Sequence, residues 1–153
     1  MNRFHFRRAA TAVAPIALMA TLSGCGQGTA PASGPTPAAE APQSTVKVVL
    51  AEYSLKPAPG VGKAGRITFN VENAGSMKHE FVVIKTDKKA SQLLKGDEAD
   101  EKGAVDELEE IEPGKSAKLA VDLKPGHYAL ICNLPGHYMP RGMPGMLADF
   151  TVQ

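Results

Sequence analysis

The strongest constraint on the fold of this chain is a series of short apolar runs separated by turns that contain glycine and proline. In the first run, Val46, Val48 and Leu50 occupy alternate positions, which is the period of a β-strand with one buried face. Segment 57–62, which contains Pro and Gly, is predicted to be a turn. Short strands with turn signals between them predict an all-β domain of the sandwich or barrel type. The predicted strands are residues 46–51, 66–71, 80–84, 118–123, 127–132 and 147–152.

Residues 88–112 depart from this pattern because they are rich in Lys, Glu, Asp and Ala and lack runs of β-branched residues. We predict short helical turns at residues 91–94 and 105–108, within a helical or irregular insertion. Residues 97–112 contain nine acidic side chains and one basic side chain, Lys102. The preferred interpretation is a solvated connection across the domain, and the alternative is an acidic patch that binds a basic partner.

The N-terminal residues 1–24 have the composition of an export signal. Three Arg precede an apolar run over residues 9–22, which is shorter than the roughly 20 apolar residues that a membrane-spanning helix needs. The sequence Leu22-Ser23-Gly24-Cys25 resembles the bacterial lipobox. It predicts cleavage before Cys25, a lipid on the Cys25 thiol, and anchoring to a bacterial membrane that faces the periplasm or the cell exterior. The alternative is an ordinary secretory signal followed by a cysteine without lipid.

Residues 25–44 are predicted to be a linker, because Gly, Pro, Ala, Ser and Thr dominate them and little can be buried. The predicted folded domain is residues 45–153, which hold 14 Lys and Arg against 15 Asp and Glu, a net charge of −1. This balance gives no strong field for nucleic acid, and the absence of Trp argues against a surface on which bases stack. The domain has one cysteine, Cys132, and in an oxidising compartment a lone thiol is buried, paired between molecules or bound to metal.

The C-terminal part of the domain groups sulfur and nitrogen donors. Cys132 and His137 are separated by four residues, methionines follow them, and His79 lies far upstream at the start of a predicted strand. Two imidazoles, one thiolate and a weak thioether form the ligand set of blue-copper electron-transfer sites. His127 is not expected to bind the ion, because along a strand it lies on the opposite face from Cys132.

Three motifs carry a resemblance to a known family: Asn-x-Gly before His79, Pro-Gly-x-Tyr-x-x-x-Cys ending at Cys132, and Gly-His ending at His137 with Gly-Met beyond it. With these motifs in this order, nearly all of residues 45–153 resemble the cupredoxins, such as plastocyanin and azurin. The resemblance implies a Greek-key β-sandwich, one mononuclear type 1 copper ion that alternates between Cu(I) and Cu(II), and outer-sphere electron transfer without substrate turnover.

The weak axial ligand has three candidates after His137. In chains like plastocyanin and azurin, the residues four and six positions after the axial Met face the core. This rule favours Met146, because Phe150 and Val152 follow it at those positions. Met143 would place an aspartate in the core, and Met139 is the third candidate. The choice of Met146 requires an insertion of residues 139–142 in the ligand loop.

A second departure from the resembled pattern follows His79. Plastocyanin and azurin have Asn at the next position, where its side chain helps to tie the two ligand segments together, whereas this chain has Glu80. The exchange puts that tie in question, and hydrogen bonding near the cysteine sulfur tunes the redox potential. Asn133 is a candidate substitute.

The leading functional hypothesis is a monomeric, lipid-anchored electron carrier that has no nucleic-acid partner and no small-molecule substrate. Redox proteins would dock near His137, on an apolar patch that includes Tyr138, Met139, Pro140 and Met143. The alternative is a copper-handling protein that stores or delivers the ion, because exposed thioethers bind Cu(I). A sandwich without copper is the third hypothesis. No enzymatic activity is expected, because four protein ligands leave no open metal position and no paired carboxylates are recognisable.

Overall fold

A computed structural model describes residues 44–153 of the chain. These residues form strands and one short 3-10 helix, Ala90–Gln92. Residues 44–153 contain no helix that is long and apolar enough to cross a membrane. The strands are β1 Ser44–Ala51, β2 Ser54–Ala58, β3 Val61–Gly62, β4 Gly65–Asn73, β5 His79–Lys85, β6 Leu94–Lys95, β7 Glu98–Ala99, β8 Ala104–Ile111, β9 Ser116–Leu123, β10 Gly126–Ile131 and β11 Leu147–Val152.

The strands form two packed sheets and a small hairpin. One sheet has the order β2-β1-β4-β9, the other has the order β3-β11-β10-β5-β8, and β6 and β7 form the hairpin. Most neighbours are antiparallel, while the β1–β4 and β3–β11 pairs are parallel. The chain passes between the two sheets at five connections: β2–β3, β3–β4, β4–β5, β8–β9 and β9–β10. The expected all-β Greek-key β-sandwich is confirmed.

The main core lies between the two sheets and is built around an aromatic cluster. Phe69 of the four-stranded sheet packs against Phe81 and Phe150 of the five-stranded sheet, with ring centroids 5.3 and 5.4 Å apart. Burying a side chain of this size stabilises a fold by roughly 1.5–3 kcal/mol. Cys132 and Met146 belong to the same buried cluster, so the sulfur donors lie at the edge of the core and not on a flexible surface.

A second apolar cluster covers the outer face of the five-stranded sheet. In β5 and β10, alternate residues point to the two clusters: Tyr128 and Leu130 to the main core, Ala129 and Ile131 to the second. The second cluster is closed by the 3-10 helix and by Tyr138. Because both faces of these strands are buried, their central runs, residues 81–84 and 128–131, are continuously apolar and do not alternate with polar residues.

The structure confirms each of the six predicted strands, with small changes in their bounds, and corrects two other predictions. Residues 57–62 are not only a turn, since β2 contains Pro57, which an edge strand tolerates because it needs no N–H on its open side. The helical turn predicted at residues 105–108 is wrong, because these residues lie in β8 and pair with β5. As an edge strand with mostly exposed side chains, β8 is rich in charge, which discourages further strand pairing. The turn predicted at residues 91–94 overlaps the 3-10 helix Ala90–Gln92, and its last residue, Leu94, begins β6.

Candidate metal centre

Three predicted donor residues, His79, Cys132 and His137, meet at one end of the sandwich. Their donor atoms all lie within 4.8 Å of one another. The Nδ1 atoms of the two imidazoles are 3.2 Å apart, and Cys132 Sγ lies 3.5 Å from Nδ1 of His137 and 4.0 Å from Nδ1 of His79. Both rings therefore present the same nitrogen to a common point beside the thiol.

Strand pairing brings these residues together from distant parts of the chain. His79 is the first residue of β5, and Cys132 directly follows β10, the antiparallel neighbour of β5. The backbone N–H of Glu80 points at Cys132 Sγ across 3.4 Å. His137 lies on the loop between β10 and β11, where its own N–H donates to the carbonyl oxygen of Leu134.

The donors are almost completely withdrawn from water. His79 and Cys132 have no exposed surface, and His137 is 9% exposed. Burial raises the pKa of the Cys132 thiol, although the N–H groups of Glu80 and Leu134 oppose this effect. Burial also lowers the pKa of His79, and the nearby His137 lowers it further. At neutral pH the folded protein thus favours the neutral form of the His79 imidazole, which is the form that binds metals.

The three candidate methionines differ sharply in exposure. Met146 is fully buried beside Cys132 in the main core, whereas Met139 and Met143 are 38% and 47% exposed. Phe150 and Val152 lie in the same core cluster, as the four-and-six rule requires. Asp149 instead bonds to the N–H of Ala90 on the other side of the sheet. Burial therefore favours Met146 as the weak fourth donor.

Backbone hydrogen bonds close the ligand loop. The N–H of Met146 is shared between the carbonyl oxygens of His137 and Tyr138, at 3.0 and 3.1 Å, and the N–H of Cys132 donates to the carbonyl oxygen of Met146. Gly145 has a φ of +81°, and a Cβ there would collide with the carbonyl oxygen of Tyr138. Glycine is therefore required where the loop turns back onto the core.

A buried asparagine shapes the turn that leads to His79. The Asn73 amide donates to the carbonyl oxygens of Met77 and Ile111, at 2.8 and 2.7 Å, and its side-chain oxygen accepts the N–H of Gly75 at 2.9 Å. These bonds join the end of β4 to the end of β8. The Asn-x-Gly motif in the sequence thus has a structural role, which is to fix the turn before the first imidazole.

Glu80 and Asn133 resolve the question raised by the missing Asn after His79. The Glu80 carboxylate accepts the backbone N–H of Asn133 at 2.6 Å, so this side chain joins the two donor segments. The Asn133 side chain does not provide the tie. It bonds to the backbone of Ala99 and to the carboxylate of Glu101, which connects the ligand loop to the insertion.

Two expectations about neighbouring residues have opposite outcomes. His127 lies away from the donors and bonds to Thr86 and Asp149, which agrees with its assignment to the opposite face. Tyr138 was expected on the exposed patch around His137, and this is wrong because its ring is fully buried in the second cluster. Cys25, predicted to carry lipid, lies outside the described residues.

Sequence reasoning missed one residue beside the donors, Glu52. It follows β1, and its carboxylate accepts the N–H groups of Ser76 and Met77 while lying 3.9 Å from Nε2 of His79. No signal in the sequence distinguishes it from other surface carboxylates, since the contact spans more than twenty residues of chain.

The donor set fits copper. A thiolate and a thioether stabilise Cu(I), imidazole suits Cu(II), and two His, one Cys and a weak axial Met define the type 1 site. The cofactor that this site accommodates is one type 1 copper ion. His79, Cys132 and His137 would be its strong ligands and Met146 the weak one. The assignment of these individual ligands stays a prediction.

A β-sandwich with this donor set at one end defines the class of small blue copper proteins. Residues 12–143 match the family described as the Cupredoxin-like domain, a span that includes His79, Cys132 and His137 and ends before Met146. The chain belongs to this cupredoxin-like family. Comparison with curated proteins gives no significant match.

Solved structures of blue copper proteins share the fold. Reduced auracyanin from the photosynthetic bacterium Roseiflexus castenholzii is 20% identical, with a TM-score of 0.54 over 72% of this chain and 97% of that chain. Auracyanin A, a "blue" copper protein from Chloroflexus aurantiacus, is 18% identical, with a TM-score of 0.55 over 73% of this chain and 100% of that chain. At this level of identity, the likeness concerns the fold alone.

Proposed function

We propose that the domain is a one-electron carrier that exchanges electrons between protein partners and converts no small-molecule substrate. The observation that carries the proposal is the convergence of both imidazole Nδ1 atoms on the buried Cys132 thiol. When bound, copper would supply the Cu(I)/Cu(II) couple. Burial and the hydrogen bonds between the donor segments hold the site, so that it changes little between oxidation states, which favours fast electron transfer.

The route for electrons is the edge of His137, the only one of the three strong donors in the described structure with any exposed surface. Around it, Met139 and Met143 are exposed, and Leu94 in β6 is 49% exposed. Met139 and Leu94 also line one groove together with Pro135 and Asp97. An apolar face with a charged rim suits short-lived docking of a redox protein.

Copper loading tests the proposal directly. The domain with Cu(II) should show an intense thiolate charge-transfer band, a reversible one-electron potential and fast electron self-exchange. Cys132→Ser should lose the band because serine cannot supply the thiolate. His127→Gln is the matched control, since His127 lies on the opposite face and its side chain bonds to Thr86 and Asp149. A Cys132→Ser protein that keeps the band would overturn the assignment.

Copper handling is the second candidate function, and exposed sulfur favours it. Met77, Met139 and Met143 are all between 38% and 47% exposed, and exposed thioethers are ligands for Cu(I). The double variant Met139→Leu/Met143→Leu separates the two functions. A copper-handling protein should lose Cu(I) capture or transfer, whereas a carrier should change only in partner docking and electron-transfer rate.

We also propose that the protein is exported and held on a bacterial membrane by lipid on Cys25, facing the periplasm or the cell exterior. The lipobox-like sequence and the linker over residues 25–44 support this location. Cys25→Ser should release the protein from membranes and leave the copper spectrum unchanged. A variant that still sediments with membranes would contradict the lipid assignment.

A further inference from the structure

Two buried side-chain polar atoms among residues 44–153 have no hydrogen-bond partner: an oxygen of Asn70, and Nε2 of His79 at the metal centre. The His79 side chain has no exposed surface. The other ring nitrogen, Nδ1, points at Cys132 and His137. When Nδ1 of a neutral imidazole binds metal, the ring proton resides on Nε2, and histidine ligands usually donate this proton to a carboxylate, a carbonyl or water.

The nearest charged group to this nitrogen is the carboxylate of Glu52. Its Oε1 lies 3.9 Å from Nε2, and a movement of roughly 1 Å would bring the two atoms to hydrogen-bond distance. Three donors of the turn before His79 hold that carboxylate in place: the N–H and the hydroxyl of Ser76 and the N–H of Met77, at 2.5, 3.2 and 2.9 Å. These hydrogen bonds therefore fix the Glu52 carboxylate beside the ring.

The space between the two side chains is kept open by a glycine. A Cβ on Gly75 would stand 2.7 Å from Oε1 of Glu52 and 2.8 Å from Nε2 of His79. Any other residue would thus separate the carboxylate from the ring or displace one of them. The Asn73 side chain fixes Gly75 through its N–H, so the gap is part of the built turn.

We infer that Glu52 is a positioning residue of the copper centre, whose carboxylate accepts the Nε2 proton of His79 and so holds Nδ1 toward the metal. This inference rests on the copper site of the proposed function, but not on whether that site carries electrons or stores copper. Its negative charge also favours the more positive oxidation state, Cu(II). Glu52 thereby lowers the redox potential of the site relative to a chain with a neutral acceptor at this position.

The charge of Glu52 is present throughout the neutral range. Hydrogen bonds from its own backbone N–H and from the N–H groups of Ser76 and Met77 lower its pKa to about 2. Its effect on the site is therefore that of a fixed charge, and the test changes the residue and not the pH.

The decisive variant is Glu52→Gln, which keeps a side-chain oxygen for the N–H groups of Ser76 and Met77 but removes the charge. Its affinity for Cu(II) relative to Cu(I) should fall about tenfold, which corresponds to a rise in midpoint potential of about 59 mV. A residue that only organised the turn would leave the potential unchanged. The matched control is Asp122→Asn, which removes the same charge from an exposed ion pair with Arg66. Arg66 lies about 23 Å along β4 from Asn73, at about 3.3 Å per residue.

A second measurement observes the Nε2 proton itself, first in the wild-type protein. In the diamagnetic Cu(I) protein, nitrogen-edited NMR should show the Nε2 proton of His79 as a resolved resonance that exchanges slowly with water. Glu52→Ala, if it folds, should speed its exchange at least tenfold.

Three results would overturn the inference: an Nε2 proton in the wild type that exchanges as fast as a free imidazole, an unchanged potential in folded Glu52→Gln, or an equal shift in Asp122→Asn. Normal blue copper binding with any of these leaves the proposed function standing. A wild-type domain that takes up no copper would overturn both.

Discussion

The carboxylate of Glu80 accepts the backbone N–H of Asn133 at 2.6 Å, and this bond joins the residues that directly follow His79 and Cys132 in the chain. The backbone N–H of Glu80 at the same time points at Cys132 Sγ. One residue therefore holds both donor segments together, from its side chain and from its backbone. These two contacts keep the thiol beside the first imidazole.

Truncation of this side chain should weaken the fold and the site together. Glu80→Ala leaves the N–H of Asn133 without its acceptor, which costs about 1–3 kcal/mol of the free energy of unfolding. Chemical denaturation of the copper-free protein measures the loss, and copper should dissociate faster from the loaded variant. Glu107→Ala is the control, because that carboxylate is exposed on β8. Equal stability of the Glu80 and Glu107 variants would contradict the structural role of the tie.

Tyr138 anchors the ligand loop to the insertion. Its hydroxyl donates to the carbonyl oxygen of Ala90 and accepts the N–H of Leu93 at 3.2 Å, and the N–H of Met146 donates to its backbone oxygen. Tyr138→Phe should lower the free energy of unfolding by about 1–3 kcal/mol, because these buried backbone groups lose a partner. It should also increase the rate of copper loss, because the residue follows His137 directly.

A second buried tyrosine separates these two effects. The Tyr128 hydroxyl donates to the carbonyl oxygen of Lys124 at 2.9 Å, at the start of β10 and away from the ligand loop. Tyr128→Phe should reduce stability and leave copper dissociation unchanged. If both variants release copper at the wild-type rate, the contacts of Tyr138 with the insertion do not hold the ligand loop in place.

The strands and the site differ in how far the sequence predicts them. Period-two runs such as residues 46–51 and the apolar run ending at Cys132 identify strands, because burial of one or both faces sets their composition. The edge strand β8 has no such signal, since its side chains face water and its pairing with β5 decides its conformation.

The donors are predictable for a different reason from the residues that hold them. The spacing of Cys132 and His137 is local, and the choice of Met146 follows from the four-and-six rule of the resembled family. The contacts of Glu52 and Tyr138 depend instead on packing between distant segments. Tyr138 shows why the sequence prediction of its exposure is wrong. Its position in a loop rich in Gly and Pro indicates an exposed side chain, but the insertion buries its ring.

The stability of the copper-free protein should depend on pH through His79. Burial, and next the proximity of His137, lower the pKa of this imidazole below its ordinary value of 6.5. The unfolded chain therefore binds a proton more readily than the folded one. The free energy of unfolding should fall as the pH decreases from 6.5 toward the folded-state pKa, and level off above 6.5.

Denaturation curves of the copper-free protein between pH 5 and 8 measure this effect. His79→Gln removes the titrating group, so the difference between wild type and variant isolates it from other ionisable residues such as Glu80, whose pKa burial raises. The wild type should lose more stability than His79→Gln as the pH falls. Parallel pH profiles for the two proteins would contradict the prediction.

Substitution of the three methionines one at a time identifies the axial ligand. Met146 is buried against Cys132 while Met139 and Met143 are exposed, so Met146→Gln should change the spectrum and lower the potential, because an amide oxygen favours Cu(II) over Cu(I). Met139→Leu and Met143→Leu are the matched controls and should leave the spectrum nearly unchanged, since their side chains extend into solvent. A large spectral change in Met143→Leu with Met146→Gln silent would move the axial role to Met143. The loop segment that carries Met143 would then have to fold inward when the metal binds.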